Sequence, residues 1–514
     1  MMKTAGKLVA SLSLVLAAAC GGAYRSHPAI MVASVQSVSS SQIAGAEPTS
    51  GDPQGDTHVN YGVNPWVETA RDHLSTFAAD VDTASYTYSR RVLQGGALPS
   101  KDAVRVEEFV NYFKYAFPQP QPGSPFSVVM DAAPSPLSPE HTIVRVGVAT
   151  PAKLASERKA ATLVFLVDVS GSMDEPTKLP LAKRAMKTLV GQLRESDTVA
   201  LVTYAGTTRV ALPATSVEHR AQILAAIDKL SSAGSTAMAS GLDLAYAEAA
   251  KGLRAGAISR VIVLTDGDAN VGPTSASDLL AMIDSRVKAG VTLSTIGFGM
   301  GNYRDSLLEQ LGDHGNGNNF YIDSDAAAEK LFTSDLVGVL EVAAKDVKLQ
   351  VDFDAEQVAR YRLVGYENRD IQDADFRKDT IDAGEIGVGH QVTALFEVQL
   401  TDAARAHPGS LGVVRIRAKQ PDAGTADAAT ETTFPMTQAP AASFAAAAPD
   451  LKFAFAVSAF ADLLRGAEDA QSWSLDDIAA VARETAGTSP ERLELVALID
   501  KARHLRGASA TVAR

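Results

Sequence analysis

A chain of 514 residues is too long for one hydrophobic core, so roughly three or four domains are expected. With 46% hydrophobic residues the composition is globular, and a formal net charge of −13 argues against non-specific nucleic-acid binding, which needs a basic surface. The nine histidines are scattered, without an HExxH or Cys/His cluster, which leaves zinc chemistry without support.

Lys3 and Lys7 precede the apolar stretch LVASLSLVLAAA at 8–19, which is too short to span a bilayer. It ends in LAAAC, with small residues before Cys20, and resembles the bacterial lipobox. That resemblance implies a lipoprotein signal peptide over 1–19 and lipidation of Cys20, hence an exported chain anchored to the membrane of the bacterial envelope. Cys20 is the single cysteine, so no disulfide within the chain competes for it. Gly21 stands where Asp would favour inner-membrane retention, which points to the outer membrane. Residues 20–60, rich in Ser, Gly, Pro and Gln, read as a flexible tether.

Residues 61–158 read as an N-terminal flanking region: a strand and two short helices across HLSTFAADVDTASYTYSRRVLQGGALPSKDAVRVEEFVNYF, then strands in PFSVVMDAAPS and HTIVRVGVAT. From 159 to 343 the apolar runs ATLVFLVDV, TVALVTYAG, RVIVLTDG, VTLSTIGFG and NNFYID alternate with helix-period stretches such as LPLAKRAMKTLVGQLR and SASDLLAMIDSRVKAG. This alternation predicts a doubly wound, mostly parallel α/β sheet covered on both faces, with TTRVALP as an antiparallel edge. Residues 344–436 suggest a β-sandwich that shares strands with 125–150. An Ala/Pro linker (437–450) leads to a helical C-terminal region (451–514).

The run VFLVDVSGSM places Asp168, Ser170 and Ser172 at alternate positions, which face the same way in an extended segment. Asp266 closes a later strand, and Thr236 lies in the loop SAGSTAMASGL ahead of a helix. Side chains at the C-terminal strand ends of such a sheet gather where strand order reverses. Two carboxylates and three hydroxyls, with no thiolate or imidazole, suit a hard divalent cation: Mg2+, with Mn2+ or Ca2+ as alternatives. Mg2+ takes one or two carboxylates and keeps waters, so a position stays open that an acidic side chain of another protein can fill. Taken alone, D-x-S-x-S also fits a helix cap.

Asp168-x-Ser170-x-Ser172, Thr236 and Asp266 resemble the metal-ion-dependent adhesion site of von Willebrand factor A domains. The resemblance implies the Rossmann-like sheet order 3-2-1-4-5-6, Ser170, Ser172 and Thr236 as ligands, and both aspartates bound directly or through water. The flanking segments STFAADVDTASYTYSRR and YRLVGYENRDIQDADF, and the tail from LKFAFAVSAFADLLRG, resemble a group of bacterial predicted lipoproteins with the same domain. Together these imply a metal-dependent binding protein for an acidic protein partner, not an enzyme. The alternatives are a hydrolase using the ion as Lewis acid, with Asp174, Glu175 or Asp268 as base, and a structural envelope component.

Other motifs carry blander expectations. DGDAN at Asp266–Asn270 lacks the glycine and glutamate placement of a Ca2+-binding loop. DVDTA predicts a helix cap by Asp82 or Thr83. GEIGVGH reads as a sandwich turn in which His390 serves a domain contact. The cluster Phe109, Tyr112, Phe113, Tyr115 and Phe117 is expected to be helix and interdomain core.

Overall fold

The computed structural model describes residues 50–51, 55–234, 238–267, 276–301, 303–424, 427–470 and 473–512. Cys20, Thr236 and Asp268 therefore lie outside the described residues, as do the signal-peptide expectation and nearly all of the tether. No described helix is long and apolar enough to cross a membrane.

The centre of the molecule is a six-stranded sheet of β1 (Ala161–Asp168), β2 (Thr198–Tyr204), β3 (Arg209–Ser216), β4 (Ile258–Thr265), β5 (Thr292–Phe298) and β6 (Asn319–Ile322). Its order is β6-β5-β4-β1-β2-β3, the expected 3-2-1-4-5-6 read from the other edge. All pairings are parallel except β2 with β3, so β3 is the antiparallel edge. Every residue of β1 is buried, as a strand covered on both faces must be. Leu163, Phe165 and Val167 face helix α1 (Leu179–Gln192), whose Leu181, Ala185, Leu189 and Val190 share their core. Val164 and Leu166 face the other way, toward α3 (Met238–Lys251), through Met238, Leu242 and Ala245. Helix α2 (Arg220–Asp228) joins the first layer; α4 (Ala276–Lys288) and α5 (Asp305–His314) complete the second.

Two five-stranded antiparallel sheets form the sandwich. In one, Val342–Phe353 pairs with Leu74–Ala78, Ile386–Gly387 and Gly412–Lys419, and Thr430–Pro435 closes the edge. In the other, Gln391–Leu400 pairs with Val358–Val364 and with Thr142–Ala149; the former also pairs with Val67–Glu68, and the latter with Ser127–Pro134. Phe77, Val146, Leu349, Phe396 and Ile416 lie in its common core. Strands from before and after the central sheet thus build one body, and the α/β unit is an insertion between them.

The helices Pro449–Arg465, Leu475–Thr485 and Pro490–Val512 pack on the aromatic cluster, with Phe113 edge-on to Phe453 at 5.1 Å. That cluster is interior, as expected. The helix Ala84–Gln94 contributes Ala84, Tyr88 and Val92 to the second layer of the α/β unit. Its N-cap, Thr83, makes no side-chain capping bond. Asp82 does not cap it either: its Oδ1 accepts the Asn319 amide at the head of β6, 2.9 Å away. The capping expectation fails because the carboxylate is used to fasten the flanking region to the sheet. His390 is buried against the helix Leu336–Leu340, where a Cβ on Gly338 would lie 2.2 Å from its ring. This is the domain contact expected of it.

Candidate metal centre

The register pairs Val167 of β1 with Leu264 of β4, so Asp168 and Thr265 end neighbouring strands and Asp266 follows one residue on. Neighbouring strands lie about 4.8 Å apart, which brings the two carboxylates to one sheet edge. Thr265 Oγ1 donates to Asp168 Oδ2 at 3.0 Å, and the Ser170 amide donates to Asp168 Oδ1 at 2.9 Å. The Asp168 carboxylate is thereby fixed from both sides, and Asp168, Ser170 and Asp266 are all buried.

Ser170 and Ser172 approach each other, Oγ to Oγ, at 3.0 Å. A short 3-10 turn, Gly171–Asp174, carries Ser172, and Ser170 heads it without a side-chain capping bond. Helix α1 begins later and is headed by Lys178, also without a side-chain cap. The capping alternative for D-x-S-x-S therefore does not describe this turn, whose oxygens bond to one another and to the strand end. The loop ahead of α3 closes over it: Ala233 N donates to Val169 O at 2.7 Å, Gly171 N to Gly234 O at 3.1 Å, and Ser232 Oγ to Asp174 Oδ1 at 2.6 Å. Gly171, Asp174 and Glu175 are exposed and form the rim.

Burial pushes the Asp168 carboxyl up to about 6; the neighbouring Asp266 charge adds to the rise, while the hydrogen bonds from Ser170 and Thr265 oppose it. Two anions held out of water at one strand edge are relieved by added positive charge, and their oxygens are hard donors. This donor set fits a divalent cation such as Mg2+. Among the described residues no three His, Cys, Asp or Glu side chains gather as a metal-binding group, so an ion here would have to draw on hydroxyls and water as well.

One member of the site escaped the sequence reading. Lys178 is buried, and its Nζ lies 3.1 Å from Asp266 Oδ2 and 3.4 Å from Glu175 Oε1. In sequence it is an ordinary lysine before an apolar helix; only the fold folds it inward. Gly267, at φ +84°, lets the chain leave Asp266 tightly, and a Cβ there would sit 2.7 Å from the Arg304 amide. The loop after β5 is therefore the site's second wall.

Comparison with known proteins agrees with the α/β fold class and with a von Willebrand factor A domain in the centre of the chain. The family model for the von Willebrand factor type A domain matches residues 162–334, and one described as "Uncharacterized protein YfbK, C-terminal" matches 338–505. A third, described as "von Willebrand factor", matches 52–145. The chain is 39% identical over 465 residues to the uncharacterized protein YfbK of Escherichia coli (strain K12), covering 85% of this chain and 80% of that one. It is 30% identical over 189 residues to the uncharacterized protein sll0103 of Synechocystis, covering 37% of this chain and 44% of that protein. Among solved structures, a von Willebrand factor type A protein from Catenulispora acidiphila matches at 19% identity and a TM-score of 0.41, covering 73% of this chain and 88% of that one.

Proposed function

The chain belongs to the family of the protein YfbK and carries a von Willebrand factor type A domain, and from that footing we propose that it is a lipid-anchored binding protein of the cell envelope, engaging an acidic side chain of another protein through a divalent cation. Asp168, Ser170, Ser172, Thr236 and Asp266 would hold the ion: Mg2+, with Mn2+ or Ca2+ as alternatives. When bound, the ion supplies an electrophilic position for a partner's carboxylate. The observation that carries the reading is the meeting of Asp168, Ser170 and Ser172 beside Asp266 at adjoining strand ends, beneath an exposed rim.

Binding is favoured over turnover by what surrounds the site. Asp174 accepts from Ser232, and Glu175 lies against Lys178. These contacts engage two of the carboxylates that a hydrolase would need as base, and the third, Asp268, lies outside the described residues. Cys20 would carry the lipid, and the segment 20–60 would lift the body from the membrane, with the outer membrane as the destination.

Calorimetric titration of the full chain with Mg2+ tests the metal half of the reading. The wild type is expected to bind, and Asp168→Ala to lose binding while its circular dichroism stays unchanged. Unchanged Mg2+ affinity in the variant would refute the site.

A further inference from the structure

Lys178 has the features of a part of the site rather than of a surface lysine. Its side chain is 3% exposed and its ammonium faces Asp266 Oδ2, whose side chain is 1% exposed. Burying a lysine costs several kcal/mol unless it is paired, so the placement needs both a partner and a sheath. Gly299 supplies the sheath: at φ +72°, it leaves room where a Cβ would lie 2.4–2.9 Å from Cγ, Cδ and Cε of Lys178. The backbone is held at both sides as well. Lys178 N donates to Glu175 O at 2.9 Å, and Lys178 O accepts the first bond of α1, from Ala182 N at 2.8 Å.

We propose that Lys178 is a resident cation of the metal centre, which occupies one oxygen of Asp266 and so lowers the affinity for a divalent ion while raising the affinity of the loaded site for a carboxylate. The inference rests on the metal-binding reading above. Two carboxylates with no nearby cation would neutralise a divalent ion fully. With the Lys178 ammonium among them, the filled site keeps a net positive charge of one, and an incoming carboxylate removes it. Glu175, at 60% exposed, is too well solvated to cancel the lysine. The ammonium also engages Asp266 Oδ2, so that oxygen would be less available to an ion. The site is thus tuned toward capturing an external anion rather than toward tight ion storage.

The test compares wild type, Lys178→Met and Gly299→Ala. Methionine keeps the length of the stem and removes the charge; alanine at 299 keeps the charge and pushes the stem out of its channel. Mn2+ affinity is read from the free-ion electron paramagnetic resonance signal, and acetate affinity of the Mn2+-loaded protein from acetate carbon relaxation. Since Lys178→Met leaves Asp266 without this ammonium, the gain in thermal stability on adding Mn2+ is measured alongside, and a poorly folded apo variant still reports through it. The expected result is Mn2+ affinity higher by about tenfold or more in Lys178→Met, with weaker acetate binding and the same direction in Gly299→Ala. Equal or weaker Mn2+ binding by Lys178→Met in the folded state overturns the inference and leaves the metal-binding reading standing. A wild type that binds no Mn2+ overturns that reading, and the inference with it.

Discussion

Thr265 shows how much one hydroxyl organises at this strand end. It donates to Asp168 Oδ2 and accepts the Gly267 amide at 3.1 Å, so it joins both carboxylate-bearing segments. Thr265→Val preserves shape but strands a buried carboxylate oxygen and a buried amide. Its cost is expected to be about 1–3 kcal/mol in denaturant unfolding, and a change within a few tenths of a kcal/mol would contradict the role given to it. At this scale the sequence was informative where the pattern itself was chemical: alternate oxygens after an apolar run could be read directly. It was silent on Lys178, because its inward path depends on Gly299, more than a hundred positions away. It misdirected on Asp82, since Asp before a helix suggests a cap, whereas the tertiary partner Asn319 took the carboxylate.

A short N-terminal strap buttresses the wall behind Asp266. Asp56 is fully buried; its Oδ1 accepts the amides of Gly301 and Tyr303, both at 2.7 Å, and its Oδ2 accepts the Tyr88 hydroxyl at 2.8 Å. His58 follows, its ring 4.8 Å from that of Tyr88. Tyr303 and Arg304 are the residues against which Gly267 fits, so the strap supports the candidate site through one intervening loop. Asp56→Ala removes the acceptor of the Gly301 and Tyr303 amides and of the Tyr88 hydroxyl, and is expected to cost about 3 kcal/mol. Hydrogen exchange at Gly301 and Tyr303 should speed up markedly, and retained protection at both amides would count against the strap's role. Strand and helix order in the α/β unit was legible from periodicity. The edge strand Thr430–Pro435 was not, because a half-exposed run of threonines ending in Pro435 lacks the apolar alternation of an interior strand.

The three parts of the molecule meet in a buried ionic junction. Arg105 pairs with Glu108 and Asp305 and lies 3.5 Å from Glu309, while Arg369 of the sandwich reaches Asp80, Asp82, Glu309 and Asp313 at 2.7–3.3 Å. Glu309, on α5, is thus shared by the flanking region and the sandwich. None of this was visible in sequence, where Arg105 and Asp305 stand 200 positions apart. Burial raises the carboxyls of Glu107 to about 7, Glu108 to about 8 and Glu309 to about 7, with nearby acids adding to each and Arg105 opposing the rise at Glu108 and Glu309. Groups raised above their unfolded value near 4.5 favour the fold below that pH, and the contribution is lost as pH climbs through 7–8. Asp305 is held low by Arg105 despite its burial, and acts in the opposite sense only in acid. The unfolding midpoint is therefore expected to fall by several degrees between pH 5.5 and 8.5, and less in Glu108→Gln. A flat or rising midpoint over that window would contradict the assignment.

What joins these scales is a frame of strand ends and loops in which, on the proposed reading, an ion would keep a position open for one outside carboxylate. The most direct measurement is acetate carbon relaxation in the presence of the full chain and Mn2+. The wild type should show a saturable enhancement that EDTA abolishes and that Asp168→Ala lacks. Mn2+ bound with no enhancement of acetate relaxation would contradict a site built to receive a partner's acidic side chain.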